Sequence, residues 1–281
     1  MKRAVDTAEI REAVKSLLMD VNYKLSPDVA SAITSAADTE KSELGKKVLS
    51  TLTENLKVAD EEQIPICQDT GMAVVFLEIG QDVELMGEYL EDAVNAGVRE
   101  AYTEGYLRKS VVSDPIERKN SGDNTPAIIH TRIVKGNQVT VTCAPKGFGS
   151  ENMSRVFMLK PAQGIEGVKA AVLETVKAAG PNACPPFVVG VGIGGDFEKS
   201  ALMAKQALTR EIDSCSEVQW AADLETELLS EINALGIGPA GLGGSVTALA
   251  VNINTYATHI AGLPVAVNMC CHVDRHGKVV I

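Results

Sequence analysis

Six cysteines are the residues best equipped for chemistry in this chain: Cys67, Cys143, Cys184, Cys215, Cys270 and Cys271. Four of them lie in three turn-prone segments: Ile64-Pro65-Ile66-Cys67-Gln68-Asp69-Thr70-Gly71, Asn182-Ala183-Cys184-Pro185-Pro186 and Asn268-Met269-Cys270-Cys271-His272. Cys67 and Cys184 are 117 positions apart and Cys184 and Cys271 are 87 apart. No local CxxC finger exists at such spacings, so the thiols serve one centre only if the fold gathers them, as it gathers widely spaced ligands in some clusters. A lone cysteine is more often a small buried hydrophobe. Cys143, inside a β-like run, and Cys215, near a helix start, fit that description. Cys270 and Cys271 point apart on extended backbone, so the pair supplies one ligand easily and not two.

Other candidates each carry two meanings. Gln68 and Asp69 either cap the Thr70-Gly71 turn or face a ligand beside Cys67. His259, ahead of an apolar run, is either a hydrogen-bonded core residue or a site residue. Arg108 either complements a helix C-terminus or offers its fork of donors to a carboxylate. Gly190, Gly192 and Gly195 satisfy the GxGxxG spacing of a dinucleotide loop after a β-like run. The acidic partner expected about twenty positions later is missing, since Glu211 lies in helical sequence, so the match is weak.

The elements that must position these residues begin with helices. Ile10, Val14, Leu17, Leu18 and Val21 fall on one stripe, which predicts a first helix. Ser26 and Pro27 read as the N-cap and first turn of a second helix to about residue 38, and a third covers 43–58. After the 65–71 loop the pattern mixes: a strand at 72–79, a long helix at about 83–108, and strands at 128–134 and 139–143 that read as a hairpin around Lys135-Gly136-Asn137-Gln138. Helices at about 164–179, 198–210 and 218–235 alternate with strands at 187–193, 246–254 and 263–267. The expectation is an α/β (mixed α+β) fold in a single domain over 1–281, with a helical subregion at about 1–60. No internal repeat is visible. Glycines cluster in loops at 146–150, 190–195 and 236–244, where backbone can approach a ligand.

Composition narrows the function classes. The 281 residues are 45% hydrophobic and 22% charged, ordinary for a globular protein with a sizeable core. A formal net charge of −11 disfavours a nucleic-acid or anionic-membrane surface, and any anionic substrate must meet a locally positive pocket. Aromatics at 4% leave few platforms for stacking bases. No apolar stretch reaches the roughly 20 residues that cross a bilayer, so the expected location is the cytoplasm, where cysteines serve as thiols or metal ligands rather than disulfides.

Four segments taken together resemble one family: IPICQDTG at 64–71, KGFGSEN at 146–152, Cys184 with its Pro-Pro and the following Val-Gly-Ile-Gly-Gly, and HIAGLPVAVNMCCHVDRH at 259–276. In that order they resemble the N-terminal, cluster-binding part of class I fumarases and L-tartrate dehydratases, across essentially the whole chain. The resemblance implies a [4Fe-4S] cluster on Cys67, Cys184 and Cys271. Cys271 is preferred to Cys270 because the family pattern places an Arg-His pair four and five positions after the ligand, where Arg275 and His276 stand. It also implies substrate contacts from Gln68, Asp69, Arg108, Gly149 and His259, with Asp69 and His259 catalytic. Phe148 departs from the family's glycine-only loop. The implied activity is reversible hydration of fumarate to L-malate, with L-tartrate dehydration as the alternative and a nucleotide-dependent oxidoreductase a distant third. The implied partner is a β-type subunit completing the site in an α2β2 assembly, with a small dicarboxylate as substrate.

Overall fold

The computed structural model describes residues 2–281. In chain order the elements are β1 (Arg3–Asp6), α1 (Thr7–Tyr23), α2 (Pro27–Thr39), α3 (Glu43–Glu62), β2 (Met72–Gly80), β3 (Val83–Met86), α4 (Leu90–Glu104), β4 (Ile128–Val134) and β5 (Val139–Lys146). There follow α5 (Phe148–Glu151), β6 (Arg155–Leu159), α6 (Gly164–Ala179), β7 (Phe187–Gly195), α7 (Phe197–Ala207), α8 (Gln219–Asn233), β8 (Ala248–Thr258), β9 (Leu263–Cys270) and β10 (Gly277–Val280). The expected α/β class is the observed one. Main-chain contacts divide the chain into two compact units. The first holds the segment through Ser26, Leu56–Phe148 and Arg275–Ile281; the second holds Pro27–Asn55 and Gly149–Asp274. The N-terminal helices are therefore shared between units rather than forming one of their own.

In the first unit a four-stranded sheet runs β10-β5-β2-β4. The apolar stripe of α1 (Ile10, Val14, Leu18) and that of α4 (Val94, Val98, Tyr102) bury against one face of it, meeting Ala73, Val75 and Leu77 of β2 and Val139, Val141 and Cys143 of β5. The strict inward alternation along β5 is what a sheet covered on one face requires. Asp6 starts α1 with a capping box to Glu9.

Two sequence expectations fail in this unit for identifiable reasons. The helix expected at 83–108 is shorter, because Val83 to Met86 pair in parallel with β1 and Gly87 takes a φ of +98° that ends any helical run. Helix α4 then stops at Glu104, where Gly105 N–H bonds to Ala101 O, so Arg108 stands in the following loop and not at a helix end. The strands at 128–134 and 139–143 exist but do not pair with each other. β4 lies parallel to β2 and β5 antiparallel to it on the other side, and the Lys135–Gln138 connection passes over the end of β2, with Gly80 N–H bonded to Gln138 O at 2.8 Å.

In the second unit the sheet runs β6-β9-β7-β8. Val189, Val191 and Ile193 of β7 face α6 and α8, where they join Val172, Val176, Leu224, Leu228 and Ile232 in a core. The alternate residues face α7. A Cβ at Gly190 would come within 2.2 Å of Ala204 O, and one at Gly192 within 2.1 Å of Ser200 O. These glycines let the backbone of α7 lie directly on the strand, which accounts for the GxGxxG spacing without a nucleotide. Among the described residues no helix is long and apolar enough to cross a membrane.

Candidate functional site

In the first unit the site is built around the Cys67 loop, which is clamped at every step. Ile66 N–H bonds to Asn22 O at 2.9 Å. The guanidinium of Arg275, 3% exposed, donates to Asp69 O at 2.8 Å and to Asn22 Oδ1 at 2.9 Å. The phenol of Tyr102, buried within α4, lies 2.7 Å from Thr70 O and 3.0 Å from Gly71 O, and Asn124 Nδ2 donates to Gly71 O at 3.2 Å. Burial also pushes the Tyr102 hydroxyl well above its ordinary pKa, keeping it a protonated donor. Gly71 itself, at φ +78°, lies so close to Lys146 that a Cβ would come within 2.7 Å of Lys146 N. The loop is thus a fixed platform.

On that platform Cys67 is partly exposed, with Sγ 3.2 Å from Gln68 Oε1, and Gln68 is exposed. Asp69 accepts Gly71 N–H on Oδ1 at 3.1 Å and Phe148 N–H on Oδ2 at 2.9 Å, so it staples the Cys67 loop to the KGFG segment. Gly147 is needed there, since a Cβ would approach Asp69 Oδ2 to 3.1 Å. Thr70 Oγ1 donates to Arg108 O at 3.0 Å, which ties the backbone of Arg108 to the same loop and leaves its side chain exposed. Lys146 and Arg275 are both buried beside this loop, which gives local positive charge in a chain of net charge −11. Sequence reasoning brought Gln68, Asp69 and Arg108 to one place. It missed Asn22 and Tyr102, which act through hydrogen bonds that no motif announces.

In the second unit Cys184 and Cys271 come to the same end of the sheet. β7 starts three residues after Cys184, β9 ends at Cys270, and Val188 pairs with Cys270. Cys184 is exposed and Cys271 partly so, whereas Cys270 is 4% exposed in an apolar cluster with Val188, Leu208 and Ala250. Cys143 is fully buried in the first unit, and burial pushes its thiol far up from the ordinary range. Gly149, exposed in α5, adjoins Asn182, two residues ahead of Cys184. The six cysteines are free thiols. Among the described residues no three His, Cys, Asp or Glu side chains surround a single metal ion. A cubane cluster makes a different demand, because each thiolate binds its own iron.

Loop 236–244 packs against the Cys184 segment. Ala240 N–H bonds to Pro185 O at 2.9 Å, and Gly241 lies against Pro181. The loop is anchored by Glu40, 2% exposed, which accepts from Ser245 N at 2.9 Å, Val246 N at 2.8 Å and Ser42 N at 2.7 Å. Burial works against the Glu40 charge, but these backbone donors outweigh it and hold the carboxyl below its ordinary pKa.

His259 is not brought to Cys184 and Cys271. Gly195 pairs with Thr258, so His259 follows β8 at the end of the sheet opposite Cys184 and Cys271, where it is exposed and accepts Ala261 N–H at 3.2 Å. The eight residues of β9 separate the two ends by roughly 25 Å at ~3.3 Å per residue. Within the second unit His259 therefore stands a strand length from Cys271.

The first unit thus carries a partly exposed thiol, Cys67, on the same loop as the clamped Asp69, and the second carries Cys184 and Cys271 at one end of its sheet. Comparison with known proteins gives the class. A family model described as fumarate hydratase (Fumerase) matches residues 11–280, and the chain belongs to that hydro-lyase family. A protein of Methanocaldococcus jannaschii named putative L(+)-tartrate dehydratase subunit alpha is 43% identical over 275 residues, 95% of each chain. The L(+)-tartrate dehydratase subunit alpha of Escherichia coli O157:H7 is 32% identical over 276 residues, 97% of this chain and 91% of its own, and that of Escherichia coli strain K12 matches to the same extent. These names reverse the order in which the sequence alone ranked fumarate and L-tartrate.

Proposed function

We propose that this chain is the cluster-holding α subunit of an L-tartrate dehydratase, working with a β-type subunit in an α2β2 assembly. The observation that carries the substrate is that relatives at 43% and 32% identity, over nine-tenths or more of their own lengths, bear that name. Removing water from a 2,3-dihydroxy diacid requires loss of a proton from a weakly acidic carbon and departure of a poor leaving group. The enol so formed tautomerises to a 2-oxo diacid.

Cys67, Cys184 and Cys271 are the residues that would hold a [4Fe-4S] cluster. Their exposure in turn-prone loops supports this, as does the burial of Cys270 and Cys143. Such a cluster, when bound, supplies a Lewis-acidic corner for the departing hydroxyl. The guanidinium of Arg108 grips one substrate carboxylate, favoured by the positive surroundings of Lys146 and Arg275. Asp69, held on both oxygens by backbone N–H groups, is oriented to accept a substrate hydroxyl or to relay a proton on a remaining lone pair. Gln68 supplies a second polar contact, and the backbone at Gly149 a further donor. This arrangement does not use His259, which stands a strand length from Cys271.

Anaerobic co-purification with the β-type subunit tests the proposal. L-tartrate should yield oxaloacetate faster than fumarate yields L-malate. Iron and sulfide should remain in Cys143→Ser and be lost in Cys184→Ser. A wild-type protein without iron or sulfide after anaerobic reconstitution removes the cluster, and a preference for fumarate removes the substrate assignment.

A further inference from the structure

The segment that follows the third thiol reaches back to the second. His272 donates its main-chain N–H to Cys184 O at 3.3 Å, and its ring Nδ1 lies 3.1 Å from the same oxygen. A carbonyl only accepts, so the ring donates there through a protonated Nδ1. Both lone pairs of one carbonyl are thereby directed at one residue. Cys184 needs such support. Its backbone sits at φ 53° and ψ 68°, a left-handed conformation that residues with a Cβ seldom adopt and that persists where the surroundings impose it.

From the amide side Cys184 N–H bonds to Pro181 O at 3.1 Å, which closes a tight turn but does not fix the peptide that follows. His272 fixes that peptide. Because His272 directly follows Cys271, its two bonds to Cys184 O tie one thiol segment to the other.

We propose that His272 is a positioning residue that locks Cys184 and Cys271 into one arrangement at the end of the second unit's sheet. The lock is made by the chain's own groups alone. Its use for cluster retention rests on the function proposed above; the lock itself does not.

The test compares His272→Asn with His272→Ala in the full chain. Asparagine can place an amide N–H near the position of Nδ1, whereas alanine keeps only the main-chain donor. In the cluster-free protein, hydrogen exchange at the Cys184 amide should be about tenfold faster in His272→Ala and unchanged in His272→Asn. After anaerobic reconstitution with the β-type subunit, His272→Ala should also lose iron to a chelator about tenfold faster than wild type, with the asparagine variant restoring retention. Wild-type protection in His272→Ala overturns the proposal, and so does an asparagine variant as exposed as the alanine one. If His272→Ala does not fold, His272→Gln replaces it, since its amide sits one bond further out and should likewise lose protection. A wild-type chain that takes up no iron and sulfide defeats the cluster function alone, because the exchange comparison still decides whether His272 locks the loop.

Discussion

In the first unit the central strand β2 has β4 parallel on one side and β5 antiparallel on the other, with β10 outside β5. In the second, β7 stands in the same way between β8 and β9, with β6 outside β9. In both, the two flanking strands are consecutive in the chain and their connection passes over the end of the central strand, at Gly80 in one unit and at Gly194 and Gly195 in the other. Each central strand is also entered from a cysteine loop, at Cys67 and at Cys184. What differs is the covering. The first sheet has α1 and α4 on one face, whereas the second has α6 and α8 on one face and α7 on the other. The strand plan brings a thiol loop to the start of each sheet, and the layers decide how much substitution each strand tolerates.

That contrast is easiest to break at Gly192. A Cβ there would sit 2.1 Å from Ser200 O, so Gly192→Ala must push α7 off the sheet and should cost about 3 kcal/mol in urea unfolding. Glu78→Ala on β2, a half-exposed position, should stay within about 0.5 kcal/mol of wild type. Equal costs would show that the second face of β7 is no more tightly covered than that of β2.

The next largest effect concerns Glu40, which anchors the glycine loop of the second unit. Glu40→Gln leaves backbone donors of Ser42, Ser245 and Val246 facing a weaker acceptor and should cost about 2 kcal/mol at pH 7. The folded-state pKa of Glu40 is depressed, so its contribution is present above the ordinary carboxylate range and fades as pH falls through it. Thermal unfolding of both proteins from pH 7 to pH 3 should converge at the acid end. In the first unit Tyr102→Phe removes the phenol that meets Thr70 O and Gly71 O, with an expected cost of about 1.5 kcal/mol in the same unfolding assay. Hydrogen exchange should quicken in the Cys67 loop and not in the Cys184 segment.

Local signals in the sequence were reliable where the physics is local. Helix α2 starts at Pro27 as expected, although the Ser26 hydroxyl makes no hydrogen bond and does not cap it. The α1 stripe is buried, and the turn-rich context separates Cys67, Cys184 and Cys271 from Cys143, whereas Cys215, expected to be buried, is exposed. Pairing between distant segments was not legible. The spacing of Val83, Leu85 and Leu90 suits a helix as well as the strand that β1 makes of its first part. Residues 128–146 look like a hairpin because nothing in them shows that β2 lies between. His259 and Cys271 are twelve positions apart, close on a list but a full strand length apart once β9 is extended. The repeated strand plan was invisible for a related reason, since it resides in strand order while the two coverings impose different side chains.

The smallest effect lies at Asp123, beside the loop that carries Arg108. Burial raises its pKa, but the Thr125 hydroxyl and the Arg99 guanidinium more than compensate and hold it at about 2. Arg99 Nε donates to Asp123 Oδ2 at 2.9 Å, and the neighbouring Asn124 Oδ1 accepts Ser110 N at 2.7 Å and Val111 N at 3.2 Å, so the turn fixes the chain just after Arg108. A depressed carboxylate stabilises the fold above its ordinary pKa and ceases to do so as pH falls toward its folded value. With the ion pair half exposed, Asp123→Asn should cost about 1 kcal/mol at pH 7, and the difference should shrink between roughly pH 4 and pH 2. Because Asp123 touches only first-unit residues, the KM for substrate should rise with kcat little changed. An unchanged KM would separate this turn from the placement of Arg108 and leave the Thr70 bond to its carbonyl as what holds it.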